Sequence, residues 1–196
     1  MKENVFEYMK NSVCTERRAL DELYSVMDEK EFSRAIDILA SSSLTVLSAC
    51  GSSGFAAKKF AHSLCCVECP AKFVPPSEAV HGGMGALKQG NALILVSKGG
   101  KSDELIPLVS IAKAKGAKII TVTANASSDL ALSSDALLLI PDTPESDRHG
   151  VMATSSYIAT AAIFDALMVG LIEEKDYALT DFGLIHPGGA VGKKIN

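Results

Sequence analysis

Apolar residues follow two different patterns along the chain. Over residues 3–40 they recur at helical spacing with acids and bases between them, which predicts two amphipathic helices with a break near residues 29–31. The positions that define this stripe are Val5, Met9, Val13, Leu20, Leu23, Val26 and Met27. After residue 43 the apolar residues instead form short unbroken runs, each followed by small and polar residues. That change of pattern indicates buried strands.

The unbroken runs predict strands separated by helices. The strands are expected at residues 44–50, 71–74, 92–97, 118–123 and 136–141. Helices are expected after residue 51, over about 103–115, after residue 123 and from Ser155 to Glu174, the last being apolar on most faces and therefore central. Continuous aliphatic strands suit a parallel sheet that is covered by helices on both faces. The predicted fold is a doubly wound α/β sandwich with about five parallel strands, preceded by N-terminal helices.

Length and composition set the class of protein. The chain has 196 residues, so we expect one domain, with a helical segment at 1–40 and the α/β sandwich at 41–196. Hydrophobic residues make up 47% of the chain and charged residues 21%, which excludes a disordered protein, and no apolar stretch is expected to reach the length that spans a bilayer. The first ten residues lack the pattern of a secretory signal, which predicts a cytoplasmic protein.

The net charge limits the partners of the protein. With a formal net charge of -4 and a sequence pI of about 5.6, the protein as a whole does not attract nucleic acid or an anionic membrane. We therefore expect neither of them as a partner. An anionic ligand would have to be bound by local groups.

The cysteines do not form a recognisable framework. They are Cys14, Cys50, Cys65, Cys66 and Cys69. Cys66 and Cys69 have the spacing of zinc ligands, but no second Cys or His pair lies at a matching distance, and the odd number argues against a set of disulfides. Thiols that act as small buried hydrophobic residues in a reducing compartment are the favoured interpretation, so no metal site is predicted.

Three polar loops follow predicted strands, where ligands bind in open α/β sheets. Their sequences are CGSSGF after the first strand, SKGGKSDE after the third and DTPESDRHG after the last. In the first two, glycines let backbone N–H groups approach an anion, and hydroxyls add donors beside a helix N-terminus. Each loop alone is also an ordinary helix cap, and neither matches the motif of a nucleoside triphosphate or dinucleotide site. Their concurrence at one sheet edge predicts a phosphorylated small molecule as the ligand.

Several motifs in a fixed order resemble those of a known family. They are LSACGSSG, EAVHGGMGAL, LVSKGGKSDEL, MATSS and HPGGAVGKK. Together they are similar to the sugar isomerase (SIS) domain of the KpsF/GutQ-type arabinose 5-phosphate isomerases, over about residues 35–196. The resemblance implies an enzyme that interconverts an aldose phosphate and a ketose phosphate, such as D-arabinose 5-phosphate and D-ribulose 5-phosphate, without a cofactor. It also implies a homo-oligomer, with a tetramer favoured and a dimer as the alternative.

The same resemblance assigns site residues. The functional acids of the family fall on Glu104 and Glu145, and its histidines fall on His81 and His186. The residues expected near the sugar phosphate are Ser52, Ser53, Ser97, Gly99, Gly100, Ser102, Thr154, Ser155 and Ser156. Simpler roles stay open for some of them. Glu104 could interact favourably with the dipole of the helix that follows it. His81 could be a turn residue, and His186 could have the purely structural role of holding the C-terminal segment.

Departures from the family pattern bear on activity. Ser52 stands where the family usually has a lysine linked to activity. The usual S-N-S-G-E segment is changed at residues 97–101, with the loss of one hydroxyl and one acid and the gain of two cations, Lys98 and Lys101. Either lysine could restore positive charge near the phosphate, and the sequence does not decide between them. Many family members also carry two CBS domains after the HPGG segment, and this sequence ends at Asn196 without them.

The reaction explains why these residue types occur together. Moving a carbonyl between C1 and C2 through an enediol needs a base for a carbon-bound proton and a second group for the protons on the oxygens. We expect Glu145 to be the base, Glu104 and His186 to assist proton transfer, and His81 to bind the sugar or open its ring. A cation beside the developing oxyanion would stabilise the enediolate, which is the contribution expected of the lysine that Ser52 replaces.

Two functions are compatible with the sequence. The first is a cofactor-independent sugar-phosphate isomerase. The second is a non-catalytic sensor that binds a sugar phosphate in the same pocket and regulates a partner protein, and the serine at position 52 is the argument for it. The presence of both acids and both histidines favours the enzyme. No motif specifies which sugar is bound or the direction of flux.

Overall fold

Two helices, followed by an alternation of strands and helices, make up the fold. A computed structural model describes residues 4–195 of the protein, with only the backbone at Val191. The first two helices are α1 (Val5–Val26) and α2 (Glu29–Ser41). The strands are β1 (Thr45–Ala49), β2 (Ala71–Phe73), β3 (Ala92–Val96), β4 (Lys118–Thr123) and β5 (Ala136–Leu139). The later helices are α3 (Gly51–Cys66), α4 (Pro76–Ala79), a 3₁₀ helix (Gly83–Ala86), α5 (Ile106–Ala114), α6 (Asp129–Leu132), α7 (Ser155–Glu174), α8 (Leu179–Ile185) and α9 (Gly189–Ile195).

The strands join in one parallel sheet with the order β2-β1-β3-β4-β5. The register places Ala49 beside Val96, so the C-terminal ends of β1 and β3 are neighbours. The chain runs outward in one direction from β1 to β2 and in the other from β3 to β5. Because crossovers between parallel strands are right-handed, α3 and α5 therefore cover opposite faces. The predicted doubly wound sheet with preceding N-terminal helices is confirmed.

Alternating side chains of the strands fill two cores. Leu47 and Ile94 pack on the face that is covered by α2, α3 and α7, whereas Leu93 and Leu95 pack on the face that is covered by α5. Both faces of each central strand are thus buried, which is why the strands are continuous aliphatic runs in the sequence. On the first face the rings of Phe60 and Phe164 stack with centroids 4.4 Å apart and join α3 to α7.

The long helix α7 has the predicted limits and the predicted central position. By length and composition alone it could cross a membrane, so the expectation that no apolar stretch reaches that length is wrong. Its side chains Ile163, Phe164 and Leu167 are buried, and the helix contacts α1, α2 and α3. Burial in the core of the sandwich therefore accounts for its apolar composition.

Some element boundaries differ from the prediction. The break between α1 and α2 precedes the predicted position, because the carboxylate of Asp28 accepts a hydrogen bond from the N–H of Glu31 (3.0 Å) and so begins α2. Helix α5 begins at Ile106 rather than near residue 103, with Pro107 in its first turn. Helices α4, α8 and α9 were not predicted, because they are short and have Pro or Gly within or beside them.

The thiols are distributed over several elements, with Cys14 in α1, Cys50 directly before α3, and Cys65 and Cys66 at the end of α3. The Sγ atom of Cys66 is 3.6 Å from Nε2 of His62, and the Sγ atom of the buried Cys69 is 3.5 Å from Nζ of Lys175. Over residues 4–195, no group of three or more His, Cys, Asp or Glu side chains is arranged to hold a metal ion. The interpretation of the cysteines as individual thiols stays a prediction.

Candidate active site

The strand order reverses between β1 and β3, and in sheets of this kind ligands bind beyond the C-terminal ends of the strands at this point. Helix α3 begins directly after β1 and carries Ser52 and Ser53 in its first turn. The loop of residues 97–105 follows β3. The fold therefore brings two of the predicted polar loops to neighbouring strand ends.

Glu104 belongs to the loop after β3 and acts electrostatically on the residue that precedes α3. Its side chain is exposed, and it belongs to the turn before α5 rather than to the helix. Partial burial and then the negative charge of Glu104 raise the pKa of the Cys50 thiol at the start of α3. The carboxylate of Glu104 is therefore close enough to act electrostatically on the first turn of α3.

The loop after β3 is closed by its own polar groups. The buried hydroxyl of Ser97 accepts a hydrogen bond from the N–H of Gly100 (3.1 Å) and lies 2.9 Å from the hydroxyl of Ser102. Gly100 has a φ of +66°, and a methyl group at this position would overlap the side chain of Ser128. By contrast, a methyl group at Gly99 would meet no atom within 4 Å. The turn thus requires one of its glycines and leaves open space beside the other.

The same loop is anchored to the neighbouring strand. The backbone oxygen of Lys98 accepts hydrogen bonds from the hydroxyl of Thr123 (2.9 Å) and from the N–H of Ala124 (2.9 Å). The side-chain amide of Asn125 donates to the backbone oxygen of Gly99 (3.3 Å). These bonds fix the backbone from which the side chain of Lys98 extends, so the loop is preorganised for binding.

Glu145 is held at the start of α7 with both carboxylate oxygens occupied. Its side chain is only 5% exposed. Oε2 accepts hydrogen bonds from the N–H of Thr154 (2.8 Å), the hydroxyl of Thr154 (3.1 Å) and the N–H of Ser156 (3.3 Å). Oε1 accepts a hydrogen bond from Nζ of Lys98 at 2.9 Å. The carboxylate therefore caps α7 and ties it to the loop after β3.

These contacts determine the protonation state of Glu145. Burial alone would raise the pKa of this carboxyl, but hydrogen bonds from Ser156, Lys98 and Thr154 outweigh that effect and lower the pKa to about 2. Glu145 is thus an anion at neutral pH and, in this arrangement, a weak base. To accept a proton, as the sequence led us to expect, it would have to lose at least one of these contacts.

The three hydroxyl residues at the start of α7 have different surroundings. Thr154 and Ser156 donate to Glu145, so the structure joins two of the predicted sugar-binding residues to one of the predicted acids. Ser155 is buried, and its hydroxyl has no hydrogen-bond partner in the part of the chain that the structure describes. The cluster is therefore largely satisfied by internal contacts.

The two predicted histidines make local contacts within their own segments. His81 is exposed in the turn after α4, where its N–H donates to the backbone oxygen of Glu78 (3.2 Å). His186 follows α8, and its ring stacks on Phe182 with centroids 3.8 Å apart while Nδ1 lies 3.0 Å from the backbone oxygen of Phe182. Within residues 4–195, neither imidazole forms a hydrogen bond with Glu145 or with the loop after β3. A single chain thus does not join the histidines to the acids.

A cleft that the sequence did not reveal opens beside Lys98. It is lined by Lys98, Gly99, Asn125, Ser127 and Asp142, together with Ala124 and Ala126. Asn125 and Ser127 follow β4, and Asp142 follows β5, so the cleft lies along the same sheet edge. The polar segment NASSD after the fourth strand was the available signal. The contact between Lys98 and Glu145 had no such signal, because the two residues are 47 positions apart.

Comparison with known proteins identifies the family. The sequence model of the SIS domain matches residues 38–170. The chain belongs to the SIS domain family. This SIS chain is 31% identical over 188 residues to the arabinose 5-phosphate isomerase KpsF of Escherichia coli, and 32% identical over 202 residues to the arabinose 5-phosphate isomerase KdsD of Francisella tularensis. These matches confirm the resemblance that was predicted from the motifs.

The extent of the similarity differs between curated relatives and solved structures. The alignments cover 95% and 100% of this SIS chain but only 58% of KpsF and 62% of KdsD. A Listeria monocytogenes structure, provisionally assigned as a sugar-phosphate isomerase, is 36% identical with a TM-score of 0.91, and the match covers 96% of this chain and 99% of that one. An Escherichia coli CFT073 protein solved in complex with arabinose 5-phosphate is 29% identical with a TM-score of 0.87, covering 95% and 100%.

Proposed function

We propose that the chain is a sugar-phosphate aldose–ketose isomerase that acts through an enediol on a pentose phosphate, such as D-arabinose 5-phosphate or D-ribulose 5-phosphate. The observation that carries the proposal is the meeting of a glycine- and hydroxyl-lined loop at residues 97–102 with the carboxylates of Glu104 and Glu145 at one sheet edge. The similarity to arabinose 5-phosphate isomerases and to a structure with bound arabinose 5-phosphate supports the substrate class.

In this proposal the phosphate group binds between the loop after β3 and the first turn of α3. Hydroxyl groups and backbone N–H groups at helix starts are suitable donors for phosphate oxygens. The proposed donors are Ser52, Ser53, Ser97, Gly99, Gly100 and Ser102. With the phosphate fixed at this end, the carbonyl end of the sugar is held in register with the acids.

The proposed proton transfers follow from the positions of the acids. Glu145 removes the carbon-bound proton after one of its oxygens is released, and Glu104 moves protons between the substrate oxygens. The reaction only rearranges hydrogen within the sugar, so it consumes no oxidant or reductant. His81 and His186 are assigned to ring opening and proton transfer, and either role requires a second subunit or a movement that brings the imidazole to the acids.

We propose in addition that the protein works as a homo-oligomer, with a tetramer favoured over a dimer. Within the described residues Glu145 forms no hydrogen bond with His81 or His186, which supports this proposal because a neighbouring copy could supply a histidine. The cytoplasmic location and the absence of nucleic-acid and membrane partners stay predictions from the sequence.

A sensor that binds a sugar phosphate without converting it is the second candidate. Two observations favour it: Glu145 is a weak base in this arrangement, with its pKa lowered to about 2, and the first turn of α3 has a serine at position 52 instead of a cation. In a sensor the Glu145 cluster would serve to shape the pocket rather than to transfer protons.

The deciding experiment is a hydrogen-exchange assay on purified protein. Pentose, hexose and heptulose phosphates are incubated with the chain in deuterated water, and NMR follows both isomerisation and the exchange of carbon-bound hydrogen. The E145Q protein, purified in parallel, controls for a contaminating isomerase. Exchange on a pentose phosphate by the parent supports the enzyme, whereas binding of a sugar phosphate with no exchange on any of them would favour the sensor.

A further inference from the structure

Lys98 is the basic residue of the loop after β3 that already reaches into the site. Its backbone is anchored to β4 through two hydrogen bonds, and its ammonium group contacts Glu145. The side chain is 37% exposed and lines the open cleft. Glu145 is the partner of this ammonium group in the part of the chain that the structure describes, which leaves donors of Nζ available to a ligand.

Other cations near the loop are placed less favourably. Lys101 is exposed, and it forms no ion pair within residues 4–195. The first turn of α3 offers Gly51, Ser52 and Ser53 and thus no basic side chain. A phosphate monoester carries nearly two negative charges at neutral pH, so a site built from hydroxyl and N–H groups alone would leave most of that charge unpaired.

We propose that Lys98 is the phosphate-binding cation of this site and that Glu145 is the counter-ion which holds it when no ligand is bound. The inference rests on the proposed function for the nature of the ligand, a phosphorylated sugar. It adds that binding exchanges one partner of Lys98 for another, from the carboxylate of Glu145 to the phosphate of the ligand.

The two anions are unequal competitors for Lys98. A phosphate monoester offers more negative charge than a carboxylate and three acceptor oxygens. Glu145 loses little in the exchange, because its Oε2 atom keeps the hydrogen bonds from Thr154 and Ser156. The released Oε1 atom would then have no cation beside it, and Glu145 would become a stronger base at the moment when the substrate is bound.

The test uses inorganic phosphate as the probe and needs no turnover. ³¹P NMR titration gives the dissociation constant for the parent, K98Q, K101Q and E145Q proteins. We expect K98Q to weaken phosphate binding about tenfold, as the loss of a charge-assisted hydrogen bond implies. K101Q, the matched control in the same loop, should weaken it by less than about threefold because it removes only a screened surface charge. E145Q should tighten it by about threefold or more, because it frees Lys98 from its counter-ion.

The opposite signs for K98Q and E145Q separate the inference from a purely structural role. If Lys98 and Glu145 only held the loop to α7, both substitutions would weaken binding, and that result would overturn the inference. Equal effects of K98Q and K101Q, or no phosphate binding by the parent, would overturn it as well. K98R, which keeps the charge, should bind within about threefold of the parent. K98M, which removes the charge and keeps the length of the side chain, replaces K98Q if K98Q does not fold.

The result of the phosphate titration is independent of the proposal that the protein is an enzyme. A parent that binds phosphate through Lys98 but isomerises no sugar phosphate refutes the enzyme and keeps the inference. A parent that isomerises a pentose phosphate while K98Q binds phosphate as tightly as before keeps the enzyme and refutes the inference.

Discussion

The hydroxyl oxygens of Ser97 and Ser102 lie 2.9 Å apart, so the two side chains expected to bind phosphate are hydrogen-bonded to each other. Ser97 also accepts the N–H of Gly100 and therefore helps to close the loop. Ser102 is only partly buried and has no such second bond within the described part of the chain. The two serines thus differ in their contacts: Ser97 helps to close the loop, whereas only one side-chain hydrogen bond holds Ser102.

Ser102→Ala is therefore expected to weaken binding of a sugar phosphate by on the order of 1 kcal/mol, because one hydroxyl–phosphate hydrogen bond is lost. Thermal unfolding should stay close to that of the parent. Calorimetric titration with D-arabinose 5-phosphate measures the change, and Ser110→Ala on the exposed side of α5 is the control. Unchanged affinity for every phosphorylated ligand that binds the parent would remove this role from Ser102.

The two glycines of the loop should respond differently to substitution. Gly100→Ala is expected to lower the free energy of unfolding by about 2 kcal/mol or more, because the residue has a φ of +66° and its new methyl group would overlap Ser128. Gly99→Ala should change it by less than about 1 kcal/mol, since the space around Gly99 is open. Urea denaturation of the three proteins measures both effects. Equal destabilisation by the two substitutions would show that the loop is not held as described.

Glu145 should make the stability of the protein depend on acid pH. Because its pKa is lowered from 4.5 to about 2, its contribution is fully present above about pH 4.5 and is lost as the pH falls towards 2. The shift corresponds to at most about 3 kcal/mol. Between pH 5 and pH 2 the free energy of unfolding of E145Q should therefore fall less steeply than that of the parent.

Urea denaturation at several pH values in this range provides the measurement for the parent and E145Q. E104Q is the control, because Glu104 is exposed and lies outside the hydrogen bonds at the start of α7. If the curves for E145Q and the parent stay parallel, the contacts of Glu145 do not stabilise its charged form in solution.

The sequence predicted the parts of this structure that depend on local patterns. Unbroken aliphatic runs indicated the central strands β1 and β3 because both of their faces are buried, and the apolar residues of α7 indicated its central position. The polar loops were found because parallel strands bring their C-terminal ends to one edge. The pairing of Lys98 with Glu145 could not be found in this way, since it depends on how the loop after β3 meets the start of α7.

The assignments that came from the resemblance have the same limitation. Motif order placed Glu145 among the functional acids, but its low pKa depends on N–H groups that only the folded start of α7 presents. Likewise, the motifs gave no sign that, within the described residues, the rings of His81 and His186 would form no hydrogen bond with Glu145. Periodicity reports which face of an element is buried, and it contains no information about contacts between distant loops.

Helix α1 leads to a prediction about assembly. Phe6, Met9, Val13 and Tyr24 are between 56% and 83% exposed, and their spacing puts them on one face of the helix. We expect a second copy of the chain to cover this face, so light scattering at micromolar concentration should give the mass of an oligomer. Val13→Asp combined with Tyr24→Asp should lower that mass, because burying two charges is unfavourable.

The control for this experiment is Lys30→Asp, which adds a comparable charge change at an exposed position of α2 outside the apolar face. It should leave the mass unchanged. A monomeric mass for the parent would contradict the prediction, and a loss of mass with Lys30→Asp would show that charge in general, rather than the apolar face, controls assembly.

The identity of the base is tested by comparing E145Q with E104Q. Gln keeps the size and much of the hydrogen-bonding capacity of Glu145 but removes its basic carboxylate, so kcat should fall by roughly a hundredfold or more. The KM for a pentose phosphate should stay similar or decrease, because Lys98 is then free to pair with the phosphate.

If Glu104 instead assists proton transfer between the substrate oxygens, E104Q should lower kcat but still exchange carbon-bound hydrogen with deuterated water. The two reactions, isomerisation and exchange, therefore distinguish the acids. An E145Q protein that isomerises its substrate at the parental rate would show that Glu145 is not the base, and loss of exchange in E104Q alone would transfer that role to Glu104.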